Sequence, residues 1–69
     1  MHDLEALRER LAGLGDELAD EAIRLLRLAR ATSDDDERTE LAGAERRVTR
    51  ARRAVEKAVH LLNGAEPTD

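Results

Sequence analysis

The sequence predicts an all-α protein, an antiparallel two-helix hairpin that pairs with a second copy into a dimeric four-helix bundle. Apolar residues recur every three or four positions in two long segments, and a short polar stretch separates these segments. The chain has no aromatic residue and no cysteine, so leucine, valine, isoleucine and alanine must supply its core. With 69 residues it forms one small domain, residues 1–69, which is hard to stabilise alone.

The first helix is predicted over about residues 3–31, with Asp3 as its N-cap. One face carries a leucine row made of Leu4, Leu7, Leu11, Leu14, Leu18, Leu25 and Leu28. Beside it runs a row of mostly small residues made of Ala12, Gly15, Ala19, Ala22, Leu26 and Ala29. Both rows follow the three-and-four spacing of a helix face, so this helix offers two adjacent surfaces to neighbours.

Gly13 and Gly15 leave two alternatives for the first helix. Each glycine costs roughly 1 kcal/mol relative to alanine inside a helix, which favours a break with Asp16 capping a new helix. The leucine row nevertheless passes through Leu14 without losing phase, and this favours one continuous helix. Gly15 belongs to the small row, where close approach of another helix would explain it.

The second helix is predicted over about residues 35–63, after a turn in which Thr32, Ser33 or Asp34 is the N-cap. Asp34 and Glu37 have the spacing of a capping box. The apolar row of this helix consists of Leu41, Ala44, Val48, Ala51, Val55, Ala58 and Leu62. Gly64 suits a left-handed C-terminal cap, and residues 65–69 are predicted to be a frayed tail.

Self-association is predicted because a hairpin has only one seam. We expect the second helix to cover the leucine row and the small row to face a second copy, giving a homodimer. The predicted interface consists of Ala12, Gly15, Ala19, Ala22, Leu26, Ala29, Val59 and Leu61. Two alternatives remain at this stage, a lone hairpin and a hairpin that folds on a different protein.

Two sets of polar residues interrupt or flank the apolar rows. Glu21 fills the gap in the leucine row and is predicted to pair with Arg47 or its neighbours, fixing register as polar core residues can. A basic stripe on the second helix consists of Arg46, Arg50, Arg53 and Lys57 and could contact phosphates. The net charge of −4 and the lack of aromatic residues for base stacking favour a salt-bridged, solvated face instead.

No catalytic or metal-binding pattern is apparent. The chain has one inward glutamate and no Glu-x-x-His pair, and its hydroxyl residues lack histidine and acid at catalytic spacing. We therefore expect no enzyme, no metal and no cofactor, and a cytoplasmic protein without a membrane span. The predicted function is a helical interaction and oligomerisation module, acting as a small adaptor or regulatory subunit. The alternative is a small nucleic-acid-associated regulator that uses the basic stripe.

Overall fold

The computed structural model describes residues 2–64, which form two helices and no strand. Helix α1 spans His2–Ala31 and helix α2 spans Asp35–Leu62. The two helices pack against each other over their length as an antiparallel hairpin, which confirms the predicted all-α hairpin. The observed bounds differ by one residue from the predicted 3–31 and 35–63. The predicted tail at 65–69 lies outside the described residues.

Helix α1 is continuous through both of its glycines, as the unbroken phase of the leucine row favoured, and the alternative of a break with Asp16 as a cap does not occur. A Cβ atom on Gly15 would lie 3.4 Å from Val55 Cγ1 of α2, so this glycine marks the close approach of another helix. A Cβ atom on Gly13 would meet no atom within 4 Å, and nothing in the packing explains this glycine.

The turn between the helices is organised by Asp34, one of the three predicted N-caps. Asp34 Oδ1 accepts the backbone N–H groups of Asp36 at 2.9 Å and Glu37 at 3.2 Å. The N–H of Asp34 donates to Thr32 Oγ1 at 3.2 Å, so Thr32 replaces Glu37 in the reciprocal half of the predicted capping box. These bonds satisfy amides that a helix start leaves without partners.

The remaining helix ends follow the predicted capping chemistry with one correction. Helix α1 already includes His2, so Asp3 lies in its first turn and is not an N-cap. A carboxylate there still favours the positive end of the helix dipole. At the end of α2, Asn63 is the C-cap and Gly64 has a φ of +83°, the left-handed conformation predicted from the sequence.

The seam between the helices takes alternate members of the two predicted rows. On α1 it consists of Leu11, Gly15, Leu18, Ala22, Leu25 and Ala29, of which Gly15, Ala22, Leu25 and Ala29 are buried. On α2 the half-buried seam positions are Leu41, Glu45, Val48, Arg52, Val55, Val59 and Leu62. Leucines that alternate with small residues let the helix axes approach closely while the leucines fill the space between them.

This seam corrects the prediction that α2 covers the whole leucine row and leaves the small row to water. Leu7, Leu14 and Leu28 of the leucine row remain exposed. Ala22 and Ala29 of the small row are buried within the chain. The contact face of α1 is therefore centred between the two rows, and only some residues of each row contact α2.

The hairpin is a single layer of helices. Its Cα atoms span 50 × 28 × 11 Å, and the shortest dimension is that of one helix layer. No residue of α2 is buried. Helical domains ordinarily bury their apolar stripes between at least two layers, whereas residues 2–64 form one layer with both of its faces uncovered by the rest of that range.

Candidate functional site

One face of the hairpin, here termed the leucine–alanine face, joins exposed leucines of α1 to alanines of α2. The α1 side presents Leu7, Leu14 and Leu28, which are seven and fourteen residues apart, with exposed fractions of 49%, 52% and 41%. Leu28 lines an open groove of about 760 Å³ together with Leu41, Ala44 and Arg47 of α2. By helical spacing, the α2 side of this face consists of Ala44, Ala51, Ala54, Ala58 and Leu61.

The opposite face, here termed the mixed face, carries fewer apolar groups. Its large exposed apolar residues are Ile23 and Leu26 of α1, at 48% and 39%. A groove of about 210 Å³ on this side is bordered by Ala12 and Val59 and by two acids, Asp16 and Glu56. The α2 side consists by helical spacing of Ala42, Thr49 and Glu56, and the seam residues Glu45 and Arg52 lie at its edge.

The residues predicted for the dimer interface do not share one surface. Gly15, Ala22 and Ala29 are buried between the two helices of one chain, so they are unavailable to a second copy of this hairpin. The other predicted residues remain at least partly exposed. Leu61 is 46% exposed on the leucine–alanine face, and the rest lie on the mixed face or at its edge. These others are Ala12, Ala19, Leu26, Val59 and Leu61.

The predicted ion pair between Glu21 and Arg47 is not formed within the chain. Glu21 accepts two hydrogen bonds from Arg24 of its own helix, from Nε at 3.0 Å and from Nη2 at 2.5 Å. The hydrogen bond from Arg24 lowers the pKa of the Glu21 carboxyl, against a smaller opposing effect of desolvation. A partner three residues along the same helix is reached without ordering a second helix, which explains the correction.

Each ion pair in residues 2–64 joins two residues of the same helix. They join Arg8 to Glu5, Arg24 to Glu21, Arg38 to Asp35, and Arg52 to Glu56. All are three or four residues apart and at least partly exposed, so each contributes little to stability. Cross-helix ion pairs therefore do not set the register of this hairpin; the apolar seam does.

The basic stripe of α2 is exposed along its length. Arg46, Arg50 and Arg53 line an open groove of about 290 Å³ with Thr49, whose hydroxyl donates to Glu45 at 2.7 Å. Lys57 is also exposed. Within the part of the chain that the structure describes, none of the four cations lies within 4 Å of a carboxylate, so the predicted salt-bridged face is not what is found here.

Arg38 is a structural residue that the sequence analysis missed. Its guanidinium donates to the carbonyl oxygens of Ala29 at 3.3 Å and Thr32 at 2.7 Å, and to Asp35 Oδ1 at 2.6 Å. It thereby satisfies carbonyls at the end of α1 from a position on α2. An arginine in the first turn of a helix gives no local signal of this role, because the acceptors belong to the preceding helix.

Residues 2–64 contain no group of three or more histidine, aspartate or glutamate side chains placed to hold a metal ion. Neither α1 nor α2 is long and apolar enough to cross a bilayer. The candidate sites in residues 2–64 are therefore three surfaces: the leucine–alanine face, the less apolar mixed face and the basic stripe of α2.

The fold and these surfaces define a class of small helical hairpins with an incompletely covered apolar face. Comparison with known proteins found no protein-family model, no curated protein and no solved structure that matches the chain.

Proposed function

We propose that this chain is a non-enzymatic helical interaction module that self-associates as a homodimeric four-helix bundle. The observation that supports the proposal is the imbalance of burial. Ala22, Leu25 and Ala29 are the buried apolar side chains of the described hairpin, and none lies on α2. Seven large apolar side chains are 39–52% exposed. A second hairpin stacked on the first would supply the missing layer.

The leucines of one face contribute a free energy of association of the same size as its cost. Leu7, Leu14, Leu28 and Leu61 are each about half exposed, and symmetry doubles their number in a dimer. Burying the exposed half of one leucine side chain contributes about 0.8–1.5 kcal/mol, so the eight leucines of a dimer contribute roughly 6–12 kcal/mol. This gain is comparable to the ~4–15 kcal/mol that association costs in lost freedom, before the alanine contacts are added.

The proposed role is that of a small cytoplasmic adaptor or regulatory subunit. A dimeric bundle would present two copies of each outer face, and charged side chains make up 41% of the chain. Repeated charged faces on a rigid helical scaffold suit recognition of a protein partner, because complementary charge steers encounter and selects partners.

The proposal is tested by measuring solution mass with light scattering over a concentration series, with helical content measured by circular dichroism. We expect a helical species of about twice the 7.7 kDa chain mass that dissociates on dilution. A helical monomer at every concentration would refute self-association. A poorly helical monomer would also refute it and would leave a different protein as the partner.

The second candidate function is a nucleic-acid-associated regulator, which the basic groove of Arg46, Arg50 and Arg53 favours. Phosphate contacts by three or four cations give weak, salt-dependent binding. We expect any mobility shift of DNA or RNA at low salt to disappear in an Arg50→Glu, Arg53→Glu variant. The matched control is Arg27→Glu with Arg30→Glu, which changes the net charge equally on α1. Loss of binding in both variants, or no shift at low salt, would exclude the groove.

A further inference from the structure

The geometry of the leucine–alanine face makes it self-complementary. Its α1 side is a ridge of three leucines, and its α2 side is a row of alanines that leaves a shallow surface. Leucine ridges pack well against rows of small residues, because the small residues admit the larger side chains. The face therefore fits a second copy of itself in which leucines meet alanines.

The middle of each side of this face carries a charge of opposite sign, and two acids of α2, Glu37 and Glu40, line the same groove nearer the turn. Glu21 takes the place of a leucine between Leu14 and Leu28, and Arg47 lies beside the alanines and shares a groove with Leu28. Glu21 is half-buried and Arg47 is exposed. Within the described chain the two are not paired with each other.

Glu21 and Arg47 also lie at nearly the same level along the hairpin. The contact of Gly15 with Val55 sets the levels of the two helices. Glu21 lies six residues after Gly15 on α1. Because the helices run in opposite directions, the same level on α2 is six residues before Val55, at residue 49. Arg47 is two residues from that level, a distance of about 3 Å along the axis.

We propose that two hairpins stack through their leucine–alanine faces about a two-fold axis parallel to the helices. This inference rests on the proposed self-association and names its surface. Such an axis preserves the level along the helices and lays α1 of one copy on α2 of the other, antiparallel. Glu21 then meets Arg47 of the second copy, and the symmetry repeats the pair. Leu14 meets Ala54 and Ala58, and Leu28 meets Ala44.

The other face-to-face arrangement does not place opposite charges together. A two-fold axis across the helices lays α1 on α1 and α2 on α2. Glu21 then meets either a leucine or Glu21 of the second copy, and Arg47 meets alanine or another arginine. Glu21 keeps Arg24 of its own helix in either arrangement, but covering Arg47 without an opposite charge is unfavourable. The distribution of charge on the face therefore selects the axis parallel to the helices.

Charge exchange between the two positions tests the inference. We expect Glu21→Arg and Arg47→Glu each to weaken the homodimer at least about tenfold, because each variant places two like-charged pairs in the interface. An equimolar mixture of the two variants should form heterodimers, in which every pair is again opposite in charge. The double variant Glu21→Arg, Arg47→Glu should dimerise alone. Light scattering measures the masses, and native mass spectrometry of a mixture with one tagged variant identifies the heterodimer.

Two controls separate this pairing from other effects. Arg24→Gln removes the partner of Glu21 within α1 and should leave the dimer intact, since Arg47 of the second copy remains. Leu14→Glu should abolish the dimer, whereas Leu26→Glu, a matched change on the mixed face, should not. Recovery in the mixture also shows that the single variants are competent to fold.

The outcomes distinguish the surface from the self-association itself. A wild-type dimer that neither charge exchange nor Leu14→Glu weakens would overturn the leucine–alanine face and retain the proposed function. Dissociation by Leu26→Glu alone would assign the interface to the mixed face. A wild-type monomer at all concentrations would overturn both proposals.

Discussion

Single residues in this protein act mainly through local backbone and charge contacts, and Asp34 has the clearest such role. Its carboxylate holds the N–H groups of Asp36 and Glu37 at the start of α2. We expect Asp34→Ala to lower the free energy of unfolding by about 1 kcal/mol, the usual cost of losing an N-cap. Urea unfolding followed by circular dichroism measures the change. Asp34→Asn should retain most of the stability, and Ser33→Ala, at the neighbouring exposed position, is the control.

The stabilisation that the Glu21–Arg24 pair contributes depends on pH. Its pKa is lowered from the ordinary value of 4.5, first by the hydrogen bond from Arg24 and also by the charge of Arg24. The stabilisation from this pair is therefore complete above the unfolded-state pKa and is lost as the pH falls through the lower folded-state pKa. An NMR titration should find the Glu21 carboxyl titrating below 4.5. In Arg24→Gln the same carboxyl should return toward 4.5, and an unchanged midpoint would contradict the assignment.

At the scale of the helix, the two glycines of α1 differ in their surroundings. Gly13→Ala adds a methyl group to open space, so we expect it to stabilise the protein by about 0.5–1 kcal/mol through helix propensity. Gly15→Ala should gain less, because its Cβ would press against Val55 Cγ1 at 3.4 Å. Thermal unfolding of the two variants at equal concentration measures the difference. Equal gains would show that Val55 moves away without cost.

The connection between the helices depends on Arg38, which joins α2 to the last carbonyls of α1. We expect Arg38→Ala to lower the free energy of unfolding by about 1–2 kcal/mol, since three hydrogen bonds to a charged group are lost at a partly exposed site. Arg38→Lys should recover only part of this, because an ammonium group lacks the planar fork. Arg27→Ala, an exposed arginine of α1, is the control in the same urea titration.

At the scale of the whole molecule, stability should depend on protein concentration. A homodimer unfolds to two chains, so mass action raises the melting temperature as concentration increases. We expect a rise of several degrees over a hundredfold range of concentration for the wild-type chain. The Leu14→Glu variant should melt at a lower temperature without that dependence. A wild-type melting temperature independent of concentration would contradict the dimer.

The two helices, the N-cap of α2 and the C-terminal end of α2 could be predicted from local sequence alone, whereas the N-cap predicted at Asp3 was wrong and the role of Arg38 in the connection was missed. Spacing of three and four residues, the N-cap at Asp34 and the left-handed Gly64 each depend on residues within one or two turns of one another. The prediction of a continuous α1 was confirmed for the same reason, since the leucine row keeps its phase across both glycines. These features depend on periodicity and backbone hydrogen bonding, which the chain carries in its own order.

The contact face of α1 was decided only by the tertiary structure. Two apolar rows lie side by side on this helix, and local periodicity is satisfied equally by packing on either row or between them. Close approach at Gly15, Ala22 and Ala29 centred the seam between the rows and left Leu7, Leu14 and Leu28 exposed. Likewise Glu21 took the partner on its own helix, because Arg24 is reached without ordering another helix. Sequence determined the helices, and packing between them decided which of their faces remain to be covered.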